Sequence, residues 1–158
     1  MANTQSMCTS FMGELLTATH NFGTAPTRGA STADTFKAAL YVTTATVNAS
    51  TTAYSATNEV SGTGYTAGGV TVTNATPPAS TNTSSTAGTA YWTPSASITY
   101  TTVTLTTAFD CVLIYNSTQS NKAVSVHTFG SQTVTAGTFT LTMPSNTTST
   151  ALLRLATT

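Results

Sequence analysis

From Ile98 to Met143, threonine and apolar side chains largely take turns along the chain, and this alternation limits the fold more than any other feature. Ile98, Tyr100, Thr102 and Thr104 fall on one side of an extended backbone, and Thr99, Thr101, Val103 and Leu105 on the other. A period of two is the pattern of a strand. Threonine suits it, because the β-branch stiffens the backbone and the hydroxyl keeps the outer face wet. The run Ala108–Asn116 drops the alternation and is apolar apart from Asp110 and Asn116, which predicts a strand buried on both faces. Ala123–Phe129 resumes it, with Val124 and Val126 against Ser125 and His127. Gln132–Met143 is expected to break into a hairpin at Ala136-Gly137, and Ala151–Ala156 to supply a closing strand.

The first half is less regular. Residues 5–19 read as the one helix: Met7, Phe11 and Leu15 recur at i, i+4 and i+8, with Cys8, Met12 and Leu16 as the adjoining row. Asn3 or Thr4 can cap it, Asn21 and Gly23 end it, and Pro26 prevents a quick restart. Phe36–Thr43 is a core strand, Val70–Asn74 alternates briefly, and Ala90–Thr93 carries the single tryptophan, Trp92. Residues 44–58 and Ala75–Gly88 read as polar loops. Short strands with turn signals between them predict a mainly β chain, an antiparallel β-sandwich or a jelly-roll-like barrel with one N-terminal α-helix. Residues 1–158 make one domain, of which 1–23 is a helical arm.

Composition narrows the function. Of 158 residues, 42 are Thr and 17 are Ser, while only eight are charged, four of each sign. An average domain is about 25% charged. Four basic residues at zero net charge cannot form a phosphate-binding face, which argues against nucleic acid. No apolar run reaches the length of a membrane span. The N-terminus has no basic segment ahead of an apolar one, so synthesis in the cytoplasm without an export signal is expected. Cys8 and Cys111 are then free thiols, although a bond between them is not readable from sequence. Asn48, Asn74, Asn82, Asn116 and Asn146 each begin an Asn-x-Ser/Thr triplet, but so much Ser and Thr produces such triplets by chance. Near-zero charge removes the repulsion that keeps copies apart, and favours association.

The groups that do chemistry are scarce. His20 and His127 are the only imidazoles, and neither belongs to a metal-ligand spacing. No G-x-S-x-G elbow is present. Asp34, Glu59 and Asp110 each lie at the edge of an expected element, where a turn or capping role is commoner than paired-carboxylate catalysis. Gly62, Gly64, Gly68 and Gly69 match neither phosphate-binding glycine pattern and read as turns or bulges. The expectation is a protein that is not an enzyme, with no catalytic residue, cofactor or metal site.

Asp34-Thr35-Phe36-Lys37-Ala38-Ala39-Leu40-Tyr41, followed by Asn58-Glu59-Val60-Ser61-Gly62-Thr63-Gly64-Tyr65-Thr66-Ala67-Gly68-Gly69, resembles a group of small tailed-bacteriophage structural proteins. In that group a D-T-F-K-x-A-L-Y segment leads to E-V-S-G-T-G-Y-x-x-G-G, then a strand, a Trp-containing strand and an apolar strand ending in Tyr. Those later pieces are here Val70–Thr73, Tyr91-Trp92-Thr93 and Val112–Tyr115. The C-terminal G-x-F-x-L-x-x-P and L-L-R-L pieces correspond to Gly137, Phe139, Leu141, Pro144 and Leu152–Leu155. The resemblance spans most of residues 34–155 and implies a virion structural protein located in the phage particle. The leading expectation is a capsid decoration (cement) protein that binds the major capsid protein and forms a homo-oligomer such as a trimer. A tail or head–tail junction component, contacting tail proteins, is the first alternative; a carbohydrate-binding adhesin module, using Trp92, Tyr91, Tyr54 and Tyr65, is the second. Phe11, Met12, Leu15 and Leu16 on the helix are the expected partner-contact residues, with packing onto the sheet as the competing reading.

Overall fold

The threonine-alternating second half forms one hairpin of unusual length. In a computed structural model, which describes residues 3–16, 18–22, 33–81 and 88–156, strand β6 (Ile98–Asn116) pairs antiparallel with β7 (Lys122–Leu141). Their turn lies at residues 117–121, where Ser120 and Asn121 adopt φ of 53° and 58°. The sequence places three further breaks that the structure removes, the first between Ala123–Phe129 and Gln132–Met143, which β7 joins. Ile98–Thr107 and Ala108–Asn116 are one strand, and the hairpin expected at Ala136-Gly137 does not form. Ala136 does take a left-handed φ of 45°, but as an irregularity inside β7, with Gly137 opposite Val103. Residues on both sides of it pair with β6, so they are not available to each other.

The hairpin is broken in register rather than in continuity. Shifts occur between Tyr100 and Val103, Val103 and Leu105, Leu105 and Phe109, Phe109 and Cys111, and Ile114 and Tyr115. Each extra residue changes which face a side chain meets. Thr102, at φ 54°, is one such point: Ile98 and Tyr100 are buried before it, and Val103 and Leu105 after it. Strict alternation would put these pairs on opposite faces. The shifts also bend the ribbon back on itself. A straight strand would hold Tyr100 and Ile114 about 45 Å apart. Yet the Tyr100 hydroxyl donates to the carbonyl of Ala38, which lies opposite Ile114, at 2.8 Å. Phe109 pairs with Gln132 but meets the Phe139 ring edge-on at 5.0 Å. One half of the hairpin thus packs on the other, the way strands turn corners in packed sheets.

The near half joins a five-stranded sheet in the order β1-β7-β6-β2-β3, with β1 at Ser6–Met7, β2 at Phe36–Val42 and β3 at Val70–Thr71. The fully apolar stretch of β6 is central there, and Cys111–Asn116 is buried throughout, as its composition requires. A second sheet has the order β4-β5-β8, with β4 at Ala79–Ser80, β5 at Thr89–Trp92 and β8 at Leu153–Ala156. The chain is mainly β, its two sheets are antiparallel, and neither closes into a barrel, in keeping with a β-sandwich. Trp92 connects the small sheet to the core: its ring lies 4.7 Å from Phe22, which stacks on Phe36 at 4.2 Å. Trp92 Nε1 donates to Asn74 Oδ1 at 2.8 Å, and Asn74 Nδ2 donates to the Phe22 carbonyl at 2.7 Å.

The helix α1 is shorter than its periodicity predicts, Thr9–Leu16 rather than 5–19. Ser6 and Met7 instead pair with Val126 and Ser125 on the edge of β7. Asn3 and Thr4 therefore do not cap it; Asn3 binds Asp110 and the Val42 carbonyl. Nor does Asn21 end it. Ala18 takes a left-handed φ of 49°, its N–H reaching the Leu15 carbonyl and that of Thr19 the Glu14 carbonyl. Gly23, Pro26 and Asn82 lie outside the described residues.

Candidate functional site

The glycine-rich segment after β2 is organised by one carboxylate. Glu59 Oε1 accepts from the Tyr65 hydroxyl at 2.7 Å and from the Gly68 N–H at 2.8 Å, and Oε2 accepts from the Tyr54 hydroxyl at 2.7 Å. Tyr54 stacks on Tyr115 at 4.7 Å, and the Tyr115 hydroxyl donates to the Gly68 carbonyl. Tyr65 stacks on Tyr100 and accepts the Leu40 N–H. Burial comes first in raising the Tyr54 and Tyr65 hydroxyls well above the usual tyrosine range, and their bonds to Glu59 add to it. These groups hold protons and carry no charge. Three glycines, Gly62, Gly64 and Gly69, are obligatory for the backbone to lie so close. A Cβ on Gly69, at φ 71°, would stand 1.6 Å from the Ala38 oxygen, and one on Gly64, at φ 79°, 2.2 Å from the Thr102 oxygen. The segment is a fastening that ties residues 54–69 to β2 and β6. It makes tight turns, as the sequence predicts, and the Tyr65, Gly68 and Gly69 amides are bonded to the Gly62 carbonyl, Glu59 and the Thr66 carbonyl.

A second polar cluster fastens the N-terminal arm. His20 is buried, with Nε2 2.7 Å from Glu14 Oε2, while Lys122 Nζ reaches Glu14 Oε1 at 2.6 Å. Asn116 Oδ1 accepts the N–H groups of Thr118 and Gln119, so its Nδ2 faces Asp34 Oδ2 at 2.7 Å and His20 Nδ1 at 3.1 Å. His20 Nδ1 is then an acceptor, and the ring proton sits on Nε2. Burial works to raise the Glu14 carboxyl, but the hydrogen bonds from Lys122 and His20 outweigh it and hold the carboxyl below its ordinary range. Asp34 also accepts from the Asn21 N–H and from Gln119. The cluster contains no nucleophile; its bonds run between the arm, the approach to β2 and the turn between β6 and β7. His127 is bonded to Ser125 Oγ at 2.9 Å, and burial pushes it down to about 4. Ser125 itself is buried, so its hydroxyl is not open to a substrate, while the His127 ring is half-buried.

Both cysteines are buried free thiols. Burial, followed by the nearby acids Glu14 and Asp110 respectively, pushes Cys8 up to about 11 and Cys111 up to about 12. Neither has the thiolate character of a reactive cysteine. Asp34, Glu59 and Asp110 each hold a different part of the fold, the last through Asn3 Nδ2 at 2.6 Å. Among the described residues no group of three His, Cys, Asp or Glu is placed to hold a metal ion.

The expected partner-contact residues divide. Phe11 is buried against His20 and Phe22. Leu15 is half-buried, whereas Met12 is 48% exposed and, with Leu155, is one of two large apolar side chains so exposed among the described residues. The Leu16 side chain lies outside the description. Beside the helix an apolar cleft of ≈ 110 Å³ is lined by Met7, Phe11, Leu15, Tyr91 and Leu155 among others. Of the aromatics considered for a sugar platform, Trp92 is buried, and Tyr54, Tyr65 and Tyr91 are half-buried. The roles of Glu59 and His20 as network centres were hidden because their partners come from distant sequence. The tyrosines flanking Glu59, Tyr54 and Tyr65, were the one local signal. No family model, curated protein or solved structure matches the chain.

Proposed function

We propose that the protein is a structural component of a bacteriophage particle, a decoration (cement) protein that binds the outer capsid surface in many copies and stabilises the shell. The observation that carries this reading is where the chemistry resides. The described acids, imidazoles and thiols are engaged in internal bonds or buried, and the exposed residues are mostly uncharged, threonine above all, with Arg154 and part of Lys122 beside them. Such a molecule acts through shape and copy number, with weak contacts summed by avidity. The phage-like segments 34–41 and 58–69 also belong together in space: Gly69 lies on Ala38, and Tyr65 on Leu40. That proximity supports reading the resemblance as one to a structural unit.

A second reading, a ring-forming tail or head–tail junction protein, is supported by the length of the β6–β7 hairpin. Sheet pairing between neighbours is a common way to build rings. The adhesin reading has less support, since Trp92 is not an exposed platform.

Imaging of purified particles separates these. Density capping the capsid lattice, at hundreds of copies, supports decoration; density confined to one vertex or to the tail defeats it. The docking role of the helix is tested by Met12→Asp rather than by truncation, which would remove Phe11 from the core. Particle occupancy should fall while the fold is kept; unchanged occupancy excludes Met12 as a contact.

A further inference from the structure

The two long edges of the β6–β7 hairpin are treated differently. On the β6 side, the Thr104 N–H donates to the Thr63 carbonyl at 2.9 Å, and Gly64 sits against the Thr102 oxygen. The glycine-rich segment covers that edge. On the β7 side, β1 pairs only with Ser125 and Val126. From Phe129 to Leu141 no described strand pairs with the outer edge of β7. The Ala136 N–H is bonded to Thr104 Oγ1 and the Gly130 carbonyl to Gln132 Nε2, while the regular stretches between have no strand partner on that side among the described residues, a template for another strand. Proteins normally protect such an edge with charge, proline or a short strand. Here no charged residue and no proline occurs from Ala123 to Thr142, and the strand is long; the irregularities near Gly130 and at Ala136 interrupt the edge, leaving Gln132–Thr135 and Thr138–Leu141 as its two regular stretches. Thr133, Thr135, Thr138 and Thr140 are exposed along it, and Val134, Phe139 and Leu141 pack inward against the core.

We infer that this edge of β7 is a docking surface for the same edge of a second copy of the chain, the two strands running antiparallel about a two-fold axis. Three observations select this occupant. A head-to-tail arrangement needs a second open edge of similar length, but the β6 edge is covered and the outer strands β3, β4 and β8 are only two to four residues long. The edge is uncharged, so an identical copy meets it without repulsion. The exposed threonines on both copies form the cross-strand pairs that favour antiparallel ladders. The two-fold also keeps Val134, Phe139 and Leu141 of both copies on one continuous inner face. This inference does not rest on the particle reading, and each can fail without the other.

The test is sedimentation of the purified chain over a range of concentrations, beside the double variant Thr133→Lys, Thr135→Lys. The wild type should reach a dimer, and the variant, with unchanged circular dichroism, should dimerise about tenfold or more weakly. A wild type that stays monomeric, a trimer or larger ring, or a dimer indifferent to both lysines overturns the inference. Hydrogen exchange on the wild type gives a readout that does not depend on the variant folding. Amides in Phe129–Leu141 should gain protection as concentration rises, and equal protection at all concentrations would sink the idea.

Discussion

Glu59 shows how much of this fold depends on single polar side chains. It accepts three hydrogen bonds, two of them from tyrosines stacked on β6 tyrosines. Glu59→Ala leaves these donors without their acceptor and should cost about 3 kcal/mol in urea unfolding. Glu59→Gln, which keeps one acceptor oxygen, should cost less. Thr102 makes the opposite case. It is β-branched and exposed, yet held at φ 54°, a conformation that costs an L-residue roughly 1–2 kcal/mol. Asparagine tolerates that region. Thr102→Asn should therefore stabilise the protein by about 0.5–1 kcal/mol in the same assay; a loss of stability would mean that the threonine has a role beyond strand propensity.

At the scale of elements, the short helix is held by its ends more than by its own propensity. Eight residues are too few to be helical alone. The Glu14–His20–Asn116–Asp34 cluster ties it to the β6–β7 turn. His20→Ala should cost about 2 kcal/mol. The loss should also be local: exchange of α1 amides should speed up, while β6 amides between Cys111 and Ile114 stay protected. Uniform loss of protection would show that arm and sheet unfold as one unit. The hairpin follows a related logic, since its register shifts let one ribbon supply both packed layers.

At the scale of the molecule, pH is the natural probe, because so few groups titrate. The His127 ring is held at about 4, below its ordinary 6.5. The unfolded chain therefore binds a proton that the native state refuses between these values. Its contribution is fully present above pH 6.5 and is lost as pH falls toward 4, up to about 3 kcal/mol. The Glu14 carboxyl, lowered in the folded state, adds stability that is lost at still lower pH as the folded protein finally takes up that proton. His127→Gln should flatten the stability curve between pH 4 and 6.5 and leave the lower, carboxylate-driven loss in place. A wild-type curve already flat across that window would mean that the ring is hydrated.

What the sequence alone determined is the class of structure: strands where threonine alternates with apolar residues, a doubly buried strand over Ala108–Asn116, which the structure buries without a break from Cys111 on, and tight turns at the glycines. Those follow from local sterics and burial, which short stretches of sequence express directly. What only the tertiary structure decided is where the strands begin, end and bend. Ser6–Met7 became a strand because β7 offered it an edge, and Ala136 became an irregularity because both of its flanks pair with β6. The separate pairings of Glu59, Asp34 and Asp110, and the open outer edge of β7, belong to the same category. Each depends on which distant segment occupies a neighbouring position, and long-range pairing leaves no period in the chain to read.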